Sequence, residues 1–270
     1  MSSFNYYGLS FNPFDKQAFS VKDCFRSRDF TETQNRLEFL TGTRGIGLIT
    51  AHPGMGKSFA IRCFANSLNP NNFHLAYVCL STVSLSEFYK QLCHALGLGD
   101  SGGKSKMFAS IKELIYELYK NKRQPLVLAI DEAQYLNASI LNDLKMLMNF
   151  SFDSLNCFTL ILSGEPHLNA ILRKPVHEAL RQRICVHYDF FGMTAEETID
   201  YIHHKISRAN GSQSIIDNSA LSAISGFTQG NPRLIDNIMS DAIILGAQMD
   251  RKTIDNEVIL AASDNQRLGN

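Results

Sequence analysis

The chain has 270 residues, 44% of them hydrophobic, and its 26 Lys and Arg are matched by 26 Asp and Glu. That is material for one large domain or two small ones, and the balance excludes a uniformly basic nucleic-acid-binding surface: any positive surface must be local or be assembled by several subunits. No run of about 18 apolar residues is present, and Met1-Ser2-Ser3-Phe4 carries no basic region ahead of an apolar one, so neither a membrane span nor a signal peptide is expected.

Residues 1–45 read as an N-terminal segment that packs on the domain following it, with a polar helix around 31–40. Its aromatic cluster, Tyr6 to Phe14, reads equally as core padding or as a lid over a purine ring. From 46 to 193 apolar strands alternate with amphipathic helices, the pattern of a parallel α/β sheet. Strands are predicted at 46–50, 74–80, 126–130, 158–163 and 184–189.

The first strand runs into Thr50-Ala51-His52-Pro53-Gly54-Met55-Gly56-Lys57-Ser58 and then a helix over 59–67. Strand, Gly-rich loop and helix make a phosphate-binding loop. Gly54 and Gly56 let backbone N–H groups turn inward on one anion, and the helix adds its positive end. Ala51, His52, Pro53, Gly54, Met55, Gly56, Lys57 and Ser58 are therefore the candidate ATP-binding residues. Lys57 would reach the β- and γ-phosphates, and the Ser58 hydroxyl would hold Mg²⁺. The strict pattern has Gly where Ala51 stands, which is tolerable if Ala51 avoids a left-handed backbone.

Ser84-Leu85-Ser86-Glu87 is a capping box that starts a helix with Leu85, Phe88, Tyr89, Leu92 and Leu96 on one face. A Gly-rich loop, 97–103, precedes Lys104 and Lys106, and a second helix carries Met107 to Leu118 at three- and four-residue spacing. The apolar run Leu126 to Ile130 then ends in Asp131-Glu132. A strand buried on both faces delivers its carboxyl end to the ligand site of such sheets. Asp131 is the second candidate Mg²⁺ ligand, and Glu132 the group that polarises an attacking water.

From Thr194-Ala195-Glu196-Glu197, another capping box, strand signals stop. Helices are predicted near 195–209, 219–227, 232–247 and 255–264, so 194–265 is a small helical domain and 266–270 a frayed tail. None of the six cysteines forms a C-x-x-C pair. Buried thiols in a reducing cytoplasm, with no zinc site, are expected.

The phosphate loop, the Asp-Glu pair and the helical lid together resemble the AAA+ ATPases. More specifically, Tyr7-Gly8-Leu9 with Asn12-Pro13-Phe14, Asp131-Glu132-Ala133-Gln134, Leu162-Ser163-Gly164-Glu165-Pro166-His167-Leu168, Leu180-Arg181-Gln182-Arg183-Ile184 and Gly230-Asn231-Pro232-Arg233 resemble ExeA-type ATPases. That branch includes the transposition helper ATPases similar to TnsC and TniB.

The resemblance implies a P-loop NTPase sheet sandwiched by helices and followed by a helical lid. It places Ser163 near the sensor of the γ-phosphate, Arg233 as a second sensor reaching from the lid, and Arg183 or Arg181 as a finger entering a neighbouring subunit's site. It further implies a ring or helical filament of this chain on double-stranded DNA, with Lys104 and Lys106 as candidate phosphate contacts, serving a separate transposase and an adaptor. The compact core-plus-lid layout favours that branch over secretion ExeA proteins and Orc/Cdc6-type initiators. A signalling or defence NTPase without DNA binding, or a secretion-assembly ATPase, are the alternatives.

Overall fold

A computed structural model describes residues 2–15, 24–79 and 84–266. Tertiary contacts divide the chain into two compact units. One is an α/β unit of Glu32–Pro53 and Lys57–Phe190; the other is a mainly helical unit of Met1–Thr31, Gly54–Gly56 and Phe191–Asn270.

The α/β unit is built on a five-stranded parallel sheet. Its strands are β1 (Ile46–Thr50), β2 (His74–Cys79), β3 (Leu126–Asp131), β4 (Thr159–Gly164) and β5 (Ile184–Asp189), in the order β2-β3-β4-β1-β5. β1, β3 and β4 are buried at every residue, whereas the edge strands β2 and β5 alternate. Central strands covered on both faces need continuous apolar runs, which is why these three segments are the most legible in the sequence. Register brings Thr50 beside Gly164 and Asp189, and Cys79 beside Asp131, so the strand ends that carry functional side chains lie at one edge of the sheet.

Helices α3 (Lys57–Ser67), α4 (Leu85–Ala95), α5 (Lys104–Lys120), α6 (Ala138–Leu147), α7 (His167–Leu172) and α8 (Glu178–Arg181) connect the strands; α1 (Ser3–Tyr6) and α2 (Arg28–Thr43) precede them. The capping box before α4 forms as expected. Ser84 Oγ accepts from the Glu87 N–H at 3.3 Å, and a Glu87 carboxylate oxygen accepts from the Ser84 N–H at 2.9 Å. Phe88, Tyr89 and Leu92 of α4 and Met107, Ile111 and Ile115 of α5 join Leu128 and Leu160 of the sheet in one core. α6 is a helix that sequence reasoning did not identify. Its signals are Asn137, whose side chain accepts from the Ile140 N–H at 3.0 Å, and the buried series Ile140, Leu141, Leu144 and Leu147.

The helical unit contains α9 (Ala195–Arg208), α10 (Asn218–Thr228), α11 (Pro232–Gln248) and α12 (Asn256–Gln266). Its core includes Ile202, Ile206, Ile235, Met239 and Val258, together with Tyr7, Leu9 and Phe14. Tyr7 also donates its hydroxyl to the Arg251 carbonyl at 2.9 Å. Tyr7 and Phe14, with Leu9, are thus core residues of this unit, which favours the packing reading for them, while Tyr6 stays exposed. Contacts group the chain through Thr31 with the helical unit, and Glu32 onward with the sheet. The aromatic cluster Tyr6 to Phe14 signals residues bound for a core but not which core takes them.

The helical unit buries a charge pair. Lys205 Nζ donates to Asp236 at 2.7 Å, Tyr201 donates to the same carboxylate at 2.9 Å, and the Lys205 ammonium lies 5.4 Å from the Phe14 ring centroid. Burial pushes the Lys205 ammonium below its usual range, against the pull of Asp236. Of the predicted tail, residues 267–270 lie outside the described residues, as does Leu80 at the expected end of β2.

Candidate functional site

Within the phosphate loop, Gly54 and Gly56 have φ of 85° and 94°, values an L side chain resists. Ala51 is not among the residues with a left-handed backbone, the condition for a methyl in place of the usual Gly, and its N–H bonds the Gly164 carbonyl at 3.1 Å. Lys57, the first residue of α3, is 6% exposed. Its ammonium reaches the Ala51 carbonyl at 3.4 Å, and among the described residues no carboxylate pairs with it. A buried cation at a helix N-terminus inside a curled glycine loop is a site for an anion.

Asp131, at the end of β3 and 2% exposed, is the centre of a bond network. Its Oδ2 accepts from Ser58 Oγ at 2.6 Å and from Tyr77 Oη at 3.0 Å; its Oδ1 accepts from Ser163 Oγ at 2.7 Å and from the Glu132 N–H at 3.0 Å. The structure brings Ser58, Asp131, Ser163 and Glu132 together. It adds Tyr77, which sequence reasoning missed. Tyr77 lies on the edge strand paired with β3, two positions before Cys79, and period-2 alternation marks its face without naming its partner. Burial and then the Asp131 charge push the Tyr77 phenol well above its usual range, so it stays a donor.

Glu132 adopts a left-handed backbone, φ 56° and ψ 37°, and its Oε2 accepts from Gln134 Nε2 at 2.6 Å. Gln134 Oε1 accepts in turn from the Glu165 N–H at 3.1 Å. A second polar cluster closes the other strand ends: Asn169 of α7 donates to Asp189 at 2.8 Å and to Thr50 at 3.2 Å, and the Thr50 hydroxyl also bonds Asp189. Burial alone would raise the Asp189 carboxyl, but bonds from Thr50 and Asn169 and the adjacent His187 outweigh it and hold it below its usual value.

The arginines are placed as follows. Arg183 precedes β5, at the opposite end of that strand from Asp189, and pairs with Asp153. Arg181 donates to the carbonyls of Leu172 and Arg173 at 3.2 and 3.0 Å. In the helical unit, Arg233 is exposed at the start of α11, its N–H capped by the Asn231 side chain at 3.0 Å. Gly54 belongs to that unit, and its carbonyl lies 3.4 Å from the Arg233 N–H. Lys104 pairs with Asp143 at 2.6 Å, and Lys106 is exposed with its aliphatic stem against Gly102.

A family described as "AAA domain" matches residues 40–172. The fold is that of the AAA+ P-loop NTPases. Cdc6p of Pyrobaculum aerophilum superimposes with a TM-score of 0.73 at 16% identity, over 96% of this chain and 71% of that one. Drosophila ORC, solved bound to DNA, gives 0.67 at 13% identity over 95% of this chain and 65% of that one. General secretion pathway protein A of Aeromonas hydrophila is 28% identical over 262 residues, 95% of this chain. The chain spans 47% of that relative's length. Among the described residues no helix is long and apolar enough to cross a membrane.

Proposed function

We propose that the chain is an ATP-hydrolysing molecular switch. The observation that carries this reading is Lys57: a buried ammonium without a carboxylate partner among the described residues, heading a helix inside a glycine loop and followed directly by Ser58 on Asp131. Backbone N–H groups of residues 54–58 and the Lys57 ammonium would bind the phosphates. The Ser58 hydroxyl and the Asp131 carboxylate are hard oxygen donors of the kind Mg²⁺ takes, and bound Mg²⁺ would neutralise phosphate charge. Glu132 takes a proton from the water that attacks the terminal phosphorus, and ADP and phosphate leave. Ser163 senses the terminal phosphate through Asp131, Arg233 binds nucleotide from the helical unit, and Arg183 completes a neighbour's site in a ring or filament.

The assembly acts in the cytoplasm on double-stranded DNA, as a target-selection helper for a separate transposase and an adaptor. The opening Tyr7-Gly8-Leu9 motif, the Gly230-Asn231-Pro232-Arg233 motif and fold neighbours such as an ORC solved with DNA support this. A second reading, a secretion-assembly ATPase, is supported by the 28% identity to General secretion pathway protein A.

Two measurements test these statements. Lys57→Ala should abolish binding of a fluorescent ATP analogue; wild-type affinity would sink the phosphate-loop assignment. Turnover should rise on adding duplex DNA, and Lys104→Ala with Lys106→Ala should reduce the salt slope of DNA binding by about one unit for each phosphate no longer neutralised. Turnover indifferent to DNA, with no DNA binding, favours the secretion reading instead.

A further inference from the structure

We propose that Gln134 is a positioning residue that fixes the carboxylate of Glu132 and ties it to the end of β4. The inference rests on the reading of Glu132 as the group that activates water.

Gln134 lies on a short helical turn, Ala133–Tyr135, immediately after Glu132 and is 6% exposed. Its amide orientation is chemically determined. The Glu165 N–H can only donate, so the atom 3.1 Å from it must be the amide oxygen, and the NH₂ is left to face the Glu132 carboxylate at 2.6 Å. The flipped amide would set NH₂ against N–H and oxygen against carboxylate, two repulsions in a buried place. Gln134 therefore donates to one carboxylate oxygen of Glu132 and leaves the other available to water.

Glu132 needs such a restraint. Its left-handed backbone is costly for a residue with a Cβ and persists only where surroundings over-determine it. On one side its N–H is bound to Asp131; on the other its side chain is bound to Gln134.

Both restraints lead to the same strand end. Ser163 holds Asp131, and Glu165, two residues on, holds Gln134. Between them, a Cβ on Gly164 would lie 2.7 Å from Gln134 Oε1 and 3.0 Å from a Leu168 methyl, so only glycine lets the strand end approach the amide this closely. The end of β4 thus sets the metal-binding carboxylate through Ser163 and the water-activating one through Gln134. A displacement there, of the kind bound phosphate would impose on Ser163, reaches Glu132 through one side chain.

Gln134→Glu tests this with an isosteric change. It keeps an acceptor for the Glu165 N–H, but sets an oxygen against Glu132 where a donor stood, and like charges so close cannot both ionise. Turnover should fall about 10–100-fold, the range for removing an outer partner of a site group, with affinity for a fluorescent ATP analogue unchanged. Gln134→Met, which loses the donor without adding charge, should fall less. In a Glu132→Gln background, Gln134→Glu should slow turnover no further. Wild-type turnover in both Gln134 variants, with Glu132→Gln slow, would overturn the Gln134 assignment alone. Further slowing in the Glu132→Gln background would overturn it too, by showing that Gln134 acts elsewhere. Normal turnover in Glu132→Gln would overturn the assignment of Glu132 and this inference with it.

Discussion

Tyr77 of β2 and Ser58 of α3 donate to the same oxygen of Asp131, at 3.0 and 2.6 Å. The carboxylate that would hold Mg²⁺ is therefore oriented from an edge strand as well as from the phosphate loop. Tyr77→Phe removes one of four donors and nothing else of the ring. The half-saturating Mg²⁺ concentration should rise up to about 10-fold, the low end for an outer partner of a metal ligand, while stability falls by only about 1 kcal/mol. A magnesium titration of turnover, beside urea unfolding, checks both; an unmoved titration would leave Tyr77 a packing residue.

Arg183 pairs with Asp153 within its own chain, yet is proposed to serve a neighbour. Arg183→Ala should retain ATP binding and lose turnover by about 10³–10⁵, as when a finger is removed from related phosphoryl transfers. Asp153→Ala, which frees the guanidinium, should keep turnover. Mixing Arg183→Ala with Glu132→Gln subunits should restore part of the activity, because one shared interface then holds a complete site. No recovery from co-assembled subunits would leave the Asp153 pair as the whole role of Arg183.

The Lys205–Asp236 pair is buried in the helical unit, with Lys205 1% exposed. Lys205→Met strands the carboxylate and should cost about 3–5 kcal/mol. Replacing both partners by apolar residues should recover most of that loss. Urea midpoints of the single and double variants decide, and equal midpoints would show that the pair is not coupled.

His177 is buried, its Nδ1 lacks a hydrogen-bond partner among the described residues, and burial followed by Lys174 lowers its pKa below the usual 6.5. The unfolded chain therefore takes up a proton that the folded chain refuses. Stability should fall as pH drops below about 6.5 and level off below the folded pKa. His177→Asn should flatten that part of the stability profile, measured by urea unfolding between pH 7 and 5; an unchanged profile would assign the acid loss to other groups.

Most strands and long helices are readable because period and length are local properties. The continuous apolar runs of β1, β3 and β4 and the capping boxes at Ser84 and Thr194 declare themselves within a few residues. The phosphate loop and Asp131-Glu132 are equally legible, since strand, glycines, Lys57 and Ser58 are consecutive and the carboxylates end a strand. Two helix starts carry local signals that sequence reasoning passed over: Asn137 caps α6, and Pro166 precedes α7.

What only the tertiary structure decided are pairings between residues far apart in sequence. Tyr77 meets Asp131 because β2 pairs with β3, and Asn169 meets Thr50 and Asp189 because β1 lies between β4 and β5. Lys104 meets Asp143 across two helices, and Tyr7, Leu9 and Phe14 enter the helical core. Gln134 stands two residues from Glu132, yet its role depends on the Glu165 N–H, which strand order alone brings to it. Composition and period record which residues leave water; strand order and helix packing choose their partners.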